Sequence, residues 1–226
     1  MSLPTKYTTL ISEKIPATFE AGKNHFWNGF LQNGNRTDYN HAFGGCGWTV
    51  ETFKPNHNMN ISKAYFMFRE SRINGDLTEI LKQLNVELKF VNCERFEYAF
   101  YDTPFTHLGV IDMSGAKSCT GCFAYCATKK IDKLIVHEGL SYGTDAMRMN
   151  HLEDIEIEGI IGGNGFNVQW ATKLKKASII SIINALSTTT TGLSITLSKT
   201  AVNNAFTDEE WATLIATKSN WTISLA

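Results

Sequence analysis

Apolar positions recur along the chain at a long period before any local pattern becomes clear. Phe43, Phe68, Phe100, Phe123 and Met147 lie 25, 32, 23 and 24 residues apart. Each follows a small or apolar residue: Ala42, Met67, Ala99, Cys122 and Ala146. Three residues beyond each comes Cys46, Ser71, Thr103, Cys126 or Asn150, and five beyond comes Trp48, Ile73, Phe105, Thr128 or Leu152. At eight residues the later units add Leu108, Ile131 and Ile155. Agreement in several columns at once is the mark of an internal repeat. The small polar position is expected to hydrogen-bond backbone amides in a turn.

A second column, Leu88, Ile111, Leu134 and Ile157, repeats every 23 residues. Around it apolar and polar residues alternate, as in Val86–Phe90 and Ile155–Glu158. Period two predicts short strands with one buried face. One such strand cannot bury its own apolar side, whereas stacked units can.

The rhythm changes near the C-terminus. Ile179, Ile182, Ile183 and Leu186 define a helical face. Thr207 and Glu210 have capping-box spacing before a helix through Trp211 and Leu214. Each helix leads to an alternating strand, Leu193–Leu197 and Trp221–Leu225. At the other end Phe19, Phe26, Trp27 and Phe30 share a helical face, with Pro16 near its start and Gly34 beyond its end.

The predicted fold is therefore α/β: a leucine-rich-repeat-like solenoid with a short-strand parallel sheet, an N-terminal capping helix and C-terminal helix–strand repeats. One continuous domain is expected, with a flexible segment over residues 1–14 and the capping helix over 15–40. The repeat array is expected over 41–165 and the closing helix–strand repeats over 166–226.

Composition narrows the partners. The net charge is −1 and the basic clusters are short (Lys129-Lys130 and Lys173–Lys176), so no nucleic-acid footprint is expected. No stretch approaches the apolar length of a transmembrane helix, so no membrane insertion is expected. Met1–Lys14 lacks the apolar core of a signal peptide.

Candidate chemistry yields to structural readings. Cys119, Cys122 and Cys126 form C-x-x-C-x-x-x-C, but a zinc site needs four ligands, and His107 and His137 stand at no ligand spacing. Two of these cysteines already occupy repeat columns, so core and turn roles are expected. Gly159–Gly165 is glycine-rich, but no Lys-Ser or Lys-Thr follows, and a tight turn between units is expected. Glu153, Asp154, Glu156 and Glu158 are read as a solvated strand face. No catalytic residue, metal or cofactor is assigned, and a non-enzymatic protein is expected.

If the 23-residue column points inward, its neighbours point outward: Glu87, Val110, Lys133 and Glu156 on one side, Lys89, Asp112, Ile135 and Glu158 on the other. The candidate binding face is therefore Glu87, Lys89, Asp112, Lys133, Glu156 and Glu158.

The pattern of Phe, small polar residue, Leu and Ile resembles the leucine-rich repeats of bacterial surface antigens. Phe26–Phe30, Trp48–Pro55, Ile131–Val136, Leu174–Ser187 and Ser198–Phe206 resemble, more narrowly, a phage- and prophage-encoded leucine-rich-repeat family of Gram-positive bacteria. The resemblance spans about residues 18–226 and departs from the pattern at Thr128 and at the 32-residue spacing, which suggests an inserted or degenerate unit. It implies a structural or binding protein of tail or host-surface contact, virion-associated or in the bacterial cytoplasm, whose partner is a protein or a host-surface glycan. The alternative is an intracellular interaction module that modulates a host protein.

Overall fold

The computed structural model describes residues 37–44, 50–51, 53–55 and 57–226. The N-terminal segment, the proposed capping helix up to residue 36, Cys46 and Trp48 lie outside the described residues. Residues 37–40 are not helical: Asp38 forms a parallel bridge with Lys63. In chain order the elements are β1 (Met59–Ile61), β2 (Gly75–Asp76), α1 (Leu77–Gln83), β3 (Leu88–Phe90), β4 (Phe105–Asp112), β5 (Lys130–Val136), β6 (Asp154–Gly159), α2 (Lys176–Ala185), β7 (Leu193–Leu197), α3 (Lys199–Ala205), α4 (Asp208–Ala216) and β8 (Trp221–Leu225).

Among the described residues all strand pairing is parallel. The largest sheet has the order β2-β4-β5-β6, and β1-β3 and β7-β8 form separate pairs. Ile111 lies opposite Leu134, and Leu134 opposite Ile157, so three members of the 23-residue column align across the sheet, all buried. The fourth does not join them. Leu88 pairs with Met59 in the β1-β3 sheet and is half-buried. The 32-residue spacing accommodates α1, seven residues long, which packs along β4, where the Thr78 methyl would lie 3.2 Å from a Cβ on Gly109.

The turns between strands form a second ladder, built around the Phe column. Phe43, Phe68, Phe100 and Phe123 each donate a backbone hydrogen bond to the next unit, at Met67, Ala99, Cys122 and Ala146, over 2.7–3.0 Å. Two residues earlier, His41, Phe66, Tyr98 and Gly121 do the same, and two residues later Glu70, Asp102 and Tyr125 follow. Every one of these flanking residues has positive φ, between 50° and 62°. That conformation costs about 1–2 kcal/mol for a side chain with a Cβ. Here it bends the chain so that alternate amides keep pointing at the next unit, which satisfies backbone groups that burial would otherwise strand.

Side chains follow the ladder. Inside, the Phe43–Phe68, Phe68–Phe100 and Phe100–Phe123 rings stack at 5.0, 5.6 and 5.6 Å between centroids. The residues preceding the Phe column are buried, as are Ile73, Phe105, Leu152, Leu108, Ile131 and Ile155. Thr128, the departure from the apolar pattern, is fully buried, and its hydroxyl donates to the Phe105 carbonyl at 2.9 Å. Turn chemistry at the small polar position is mixed. The Ser71 hydroxyl accepts from the Ile73 amide at 3.2 Å as expected, whereas that of Thr103 donates to the Phe100 carbonyl at 3.0 Å.

The C-terminal elements close one end of the large sheet. β6 is the last strand of this sheet, and past its end only an isolated parallel bridge joins Ile161 to Leu186. Instead the Ser178 and Ser181 hydroxyls of α2 accept from the amides of Ile155 and Ile157 at 2.9 and 2.8 Å. A helix side face thus satisfies an exposed sheet edge, which would otherwise invite pairing with another chain. Ile179, Ile182, Ile183 and Leu186 are buried, and the Thr207–Glu210 capping box is formed. β7 and β8 occupy the two alternating segments, with Leu193 opposite Trp221. The buried Lys218 ammonium donates to the Asn184 and Leu186 carbonyls at the end of α2, where a cation also complements the helix dipole.

Candidate binding face

The sheet gathers four of the six face residues and separates two. Asp112 ends β4 opposite Ile135, whose other neighbour is Glu158 on β6. Pairing shifts by one residue between Ile131 and Leu134, so Asp132 and Lys133 together face the single residue Glu156, a β-bulge. The bulge lets Lys133 reach both acids: its Nζ lies 2.7 Å from Glu158 and 3.5 Å from Glu156. The hydrogen bond and charge of Glu158, with the charge of Glu156, raise the Lys133 pKa. Asp112 accepts from the Ser114 amide at 2.9 Å. Glu87 and Lys89 belong to the β1-β3 pair, where they form an ion pair with each other. Beside these groups Val110 stands 53% exposed, opposite Lys133. The face is therefore charged, mutually compensated and broken by Val110 and, half-buried between Asp112 and Glu158, Ile135.

Further along the same strands lies a cluster that the sequence reading did not assemble. His107 on β4 places Nδ1 2.9 Å from Asp76 and Nε2 2.9 Å from Asp132. Asp76 also accepts from the Thr78 hydroxyl at 2.5 Å and caps α1 through the Thr78 and Glu79 amides, and Lys130 lies 2.7 Å from Asp132. These residues come together only because β2, β4 and β5 are neighbours. Partial burial by itself lowers the His107 pKa, but the hydrogen bonds and charges of Asp76 and Asp132 outweigh it and raise the net value. For Asp76, burial pushes the pKa up, but the hydrogen bonds from Thr78, His107 and the Glu79 amide prevail and hold it at about 2.

Both ring nitrogens can donate to a carboxylate only in the imidazolium form. Because the folded-state pKa of His107 is raised, the stabilisation is fully present below its ordinary value of 6.5 and is lost as pH rises through the folded value. Asp76 acts in the opposite window: its contribution is present above its ordinary value of 3.8 and is lost as pH falls toward about 2. The thermal midpoint is expected to fall by about 2–4 °C on raising pH from roughly 6 to roughly 9, the shift produced by about 1 kcal/mol in a chain of this size. Scanning calorimetry across that range on the wild type and on His107→Gln checks it, since the variant should lose this part of the fall.

A cleft of about 510 Å³ opens at the C-terminal side of the turn ladder. Its wall repeats with the units. Glu70, Asp102 and Tyr125 come from the positive-φ position two residues past the Phe column, and Arg72, Pro104, Ala127 and His151 from the position four past it. Ser71 and Thr103 form its buried floor, and Asn74 reaches it from one side. A second cavity of about 360 Å³ lies between Tyr142, Asp145, Asn164 and Trp170.

The other candidate motifs are placed in the framework. Cys93, Cys119, Cys122 and Cys126 are buried free thiols, and burial pushes their pKa values up, to about 12 for Cys93 and about 11 for Cys126. Low thiolate character makes a buried thiol inert. The Gly159–Gly165 segment is a close approach between units, with positive φ at both end glycines. Asp154 accepts from Lys175 and Ser178 at 2.9 and 3.1 Å. Among the described residues, no group of three or more His, Cys, Asp or Glu has the geometry to hold a metal ion, and no helix is long and apolar enough to cross a membrane.

No protein-family model, curated protein or solved structure matches the chain.

Proposed function

We propose that the chain is a leucine-rich-repeat-like solenoid serving as a non-enzymatic binding or structural protein. In this reading it is phage- or prophage-associated, carried on the virion or present in the bacterial cytoplasm, and contacts a protein or glycan of the Gram-positive surface through its repeat face. The family resemblance supplies the biological setting. The observation that supports a surface-presenting role is the parallel pairing of β4, β5 and β6, which, with one bulge at Asp132–Lys133, sets outward residues of successive units in columns across one face.

Fluorescently labelled protein is expected to bind intact Gram-positive cells and isolated cell walls saturably. The double reversal Lys133→Glu with Glu156→Lys should weaken binding by about tenfold, equivalent to about 1.4 kcal/mol. Exposed ion pairs contribute about 0–1 kcal/mol to stability, so the thermal midpoint should move little. Undiminished binding by the variant would remove the face assignment, and absence of wild-type binding would remove host-surface contact.

A further inference from the structure

We infer that the cleft beside the turn ladder is a binding site for an uncharged saccharide, held by Arg72, Asn74, Asp102 and His151 against the ring of Tyr125. The inference deepens the surface-binding reading and rests on it: it adds to the sheet-face contact a second, separate contact that takes a sugar.

The two regions differ in which polar groups are free. On the sheet face Lys133 is held by Glu156 and Glu158, Lys89 by Glu87, and Asp112 by a backbone amide. In the cleft, the side chains of Arg72, Asn74, Asp102 and His151 make no hydrogen bond or ion pair with any described residue. Four polar side chains from three units, those of Phe68, Phe100 and Met147, therefore line one open volume without a partner among the described residues.

Their chemistry selects the ligand. Arg72 only donates, the Asp102 carboxyl oxygens accept, Asn74 does both, and the His151 ring offers two nitrogens. A ligand that uses all four must offer donors and acceptors side by side, which is what adjacent hydroxyls do. An anion such as phosphate would meet the carboxylates of Glu70 and Asp102, and a cation would meet Arg72, so the lining favours neither sign. A purely apolar ligand would leave these groups desolvated without partners.

Tyr125 supplies the apolar contact that a sugar ring also needs. It is 42% exposed, large for an aromatic side chain packed on its neighbours. Its ring is held by the Arg148 guanidinium, 4.6 Å from the centroid, and by Tyr101, steeply inclined to it with the centroids 5.5 Å apart. A packed aromatic that stays partly exposed presents apolar area beside polar groups at little entropic cost. The volume of about 510 Å³ lies within the range of small-ligand sites and exceeds one sugar unit, so a short oligosaccharide is the fitting ligand.

The test uses the full chain and three neutral probes: maltotetraose, cellotetraose and N-acetylchitotetraose. Amide chemical shifts are followed up to about 10 mM probe, a range that detects the weak affinities of single sites. At least one probe should produce saturable shifts centred on residues of the cleft. Asp102→Gly removes the carboxylate while suiting the positive φ of that position, and His151→Ala removes the imidazole. Each should weaken binding by about tenfold or more with an unchanged thermal midpoint. The Lys133→Glu, Glu156→Lys variant should bind the same probe as the wild type does. Silence toward all three probes, or shifts that survive both cleft substitutions, would overturn the saccharide site. Cell-wall binding that persists alongside either result would leave the sheet-face reading standing, so the two failures are separable.

Discussion

Replacing Phe100 by alanine is expected to destabilise the protein by about 3–5 kcal/mol. The ring is fully buried and lies between Phe68 and Phe123, each with its centroid 5.6 Å away and nearly parallel, while Phe90 meets it at a steeper angle at 6.3 Å. Truncation removes the buried area and opens a hole that the neighbours cannot fill, because each is fixed by its own ladder hydrogen bond. The Phe68 amide is held by Ala99 and that of Phe123 by Ala146. Urea unfolding should show a lower midpoint with an unchanged slope. Val110→Ala, at a position 53% exposed, should move the midpoint by no more than about 0.5 kcal/mol. Comparable losses at the two positions would mean that the aromatic stack does not hold the units together.

Gly159→Ala is expected to cost about 2–4 kcal/mol. This glycine has φ +97°, a conformation disfavoured for any side chain, and an added Cβ would sit 2.0 Å from the Val136 carbonyl oxygen on the neighbouring strand. Backbone occupies that space, so the contact is relieved only by moving β5 and β6 apart at the end of their ladder, where Val136 and Gly159 are paired. Gly75 is the internal control, because its φ is +98° and nothing lies within 4 Å of the added Cβ. Gly75→Ala should therefore cost only the conformational part, about 1–2 kcal/mol. Thermal unfolding of the two variants separates strain from collision, and equal losses would refute the close approach of the two strands.

The repeat was legible because stacking makes its demands at fixed intervals. Each unit must place an aromatic or Met at the same depth and a buried small or apolar residue before it, and Ala42, Met67, Ala99, Cys122 and Ala146 meet that demand. The capping box at Thr207 and the two C-terminal strands were legible for local reasons, since their signals lie within a few residues. α1 was passed over although its signal was present: Asp76 caps a helix whose Leu77 and Ile80 are buried. At seven residues it is short enough to be absorbed into a strand repeat, and that reading carried Leu88 into the wrong sheet.

The candidate sites were less legible. His107, Asp76 and Asp132 are 31 and 25 residues apart and meet only through strand order and register. No spacing rule links them. The cleft is hidden for a related reason. Its walls follow the repeat, but what distinguishes it is that four polar side chains find no partner among the described residues, and that depends on neighbours in space.

The stacking of the units as one body is tested most directly by native-state hydrogen exchange at the amides of Phe68, Phe100 and Phe123, in the wild type and in Phe100→Ala. Each of these amides donates to the following unit. The account predicts strong protection of all three in the wild type, and in the variant a loss of protection shared by the three in the same proportion, because the units open together. Loss confined to Phe100, with Phe68 and Phe123 still protected at wild-type levels, would contradict a single stacked core.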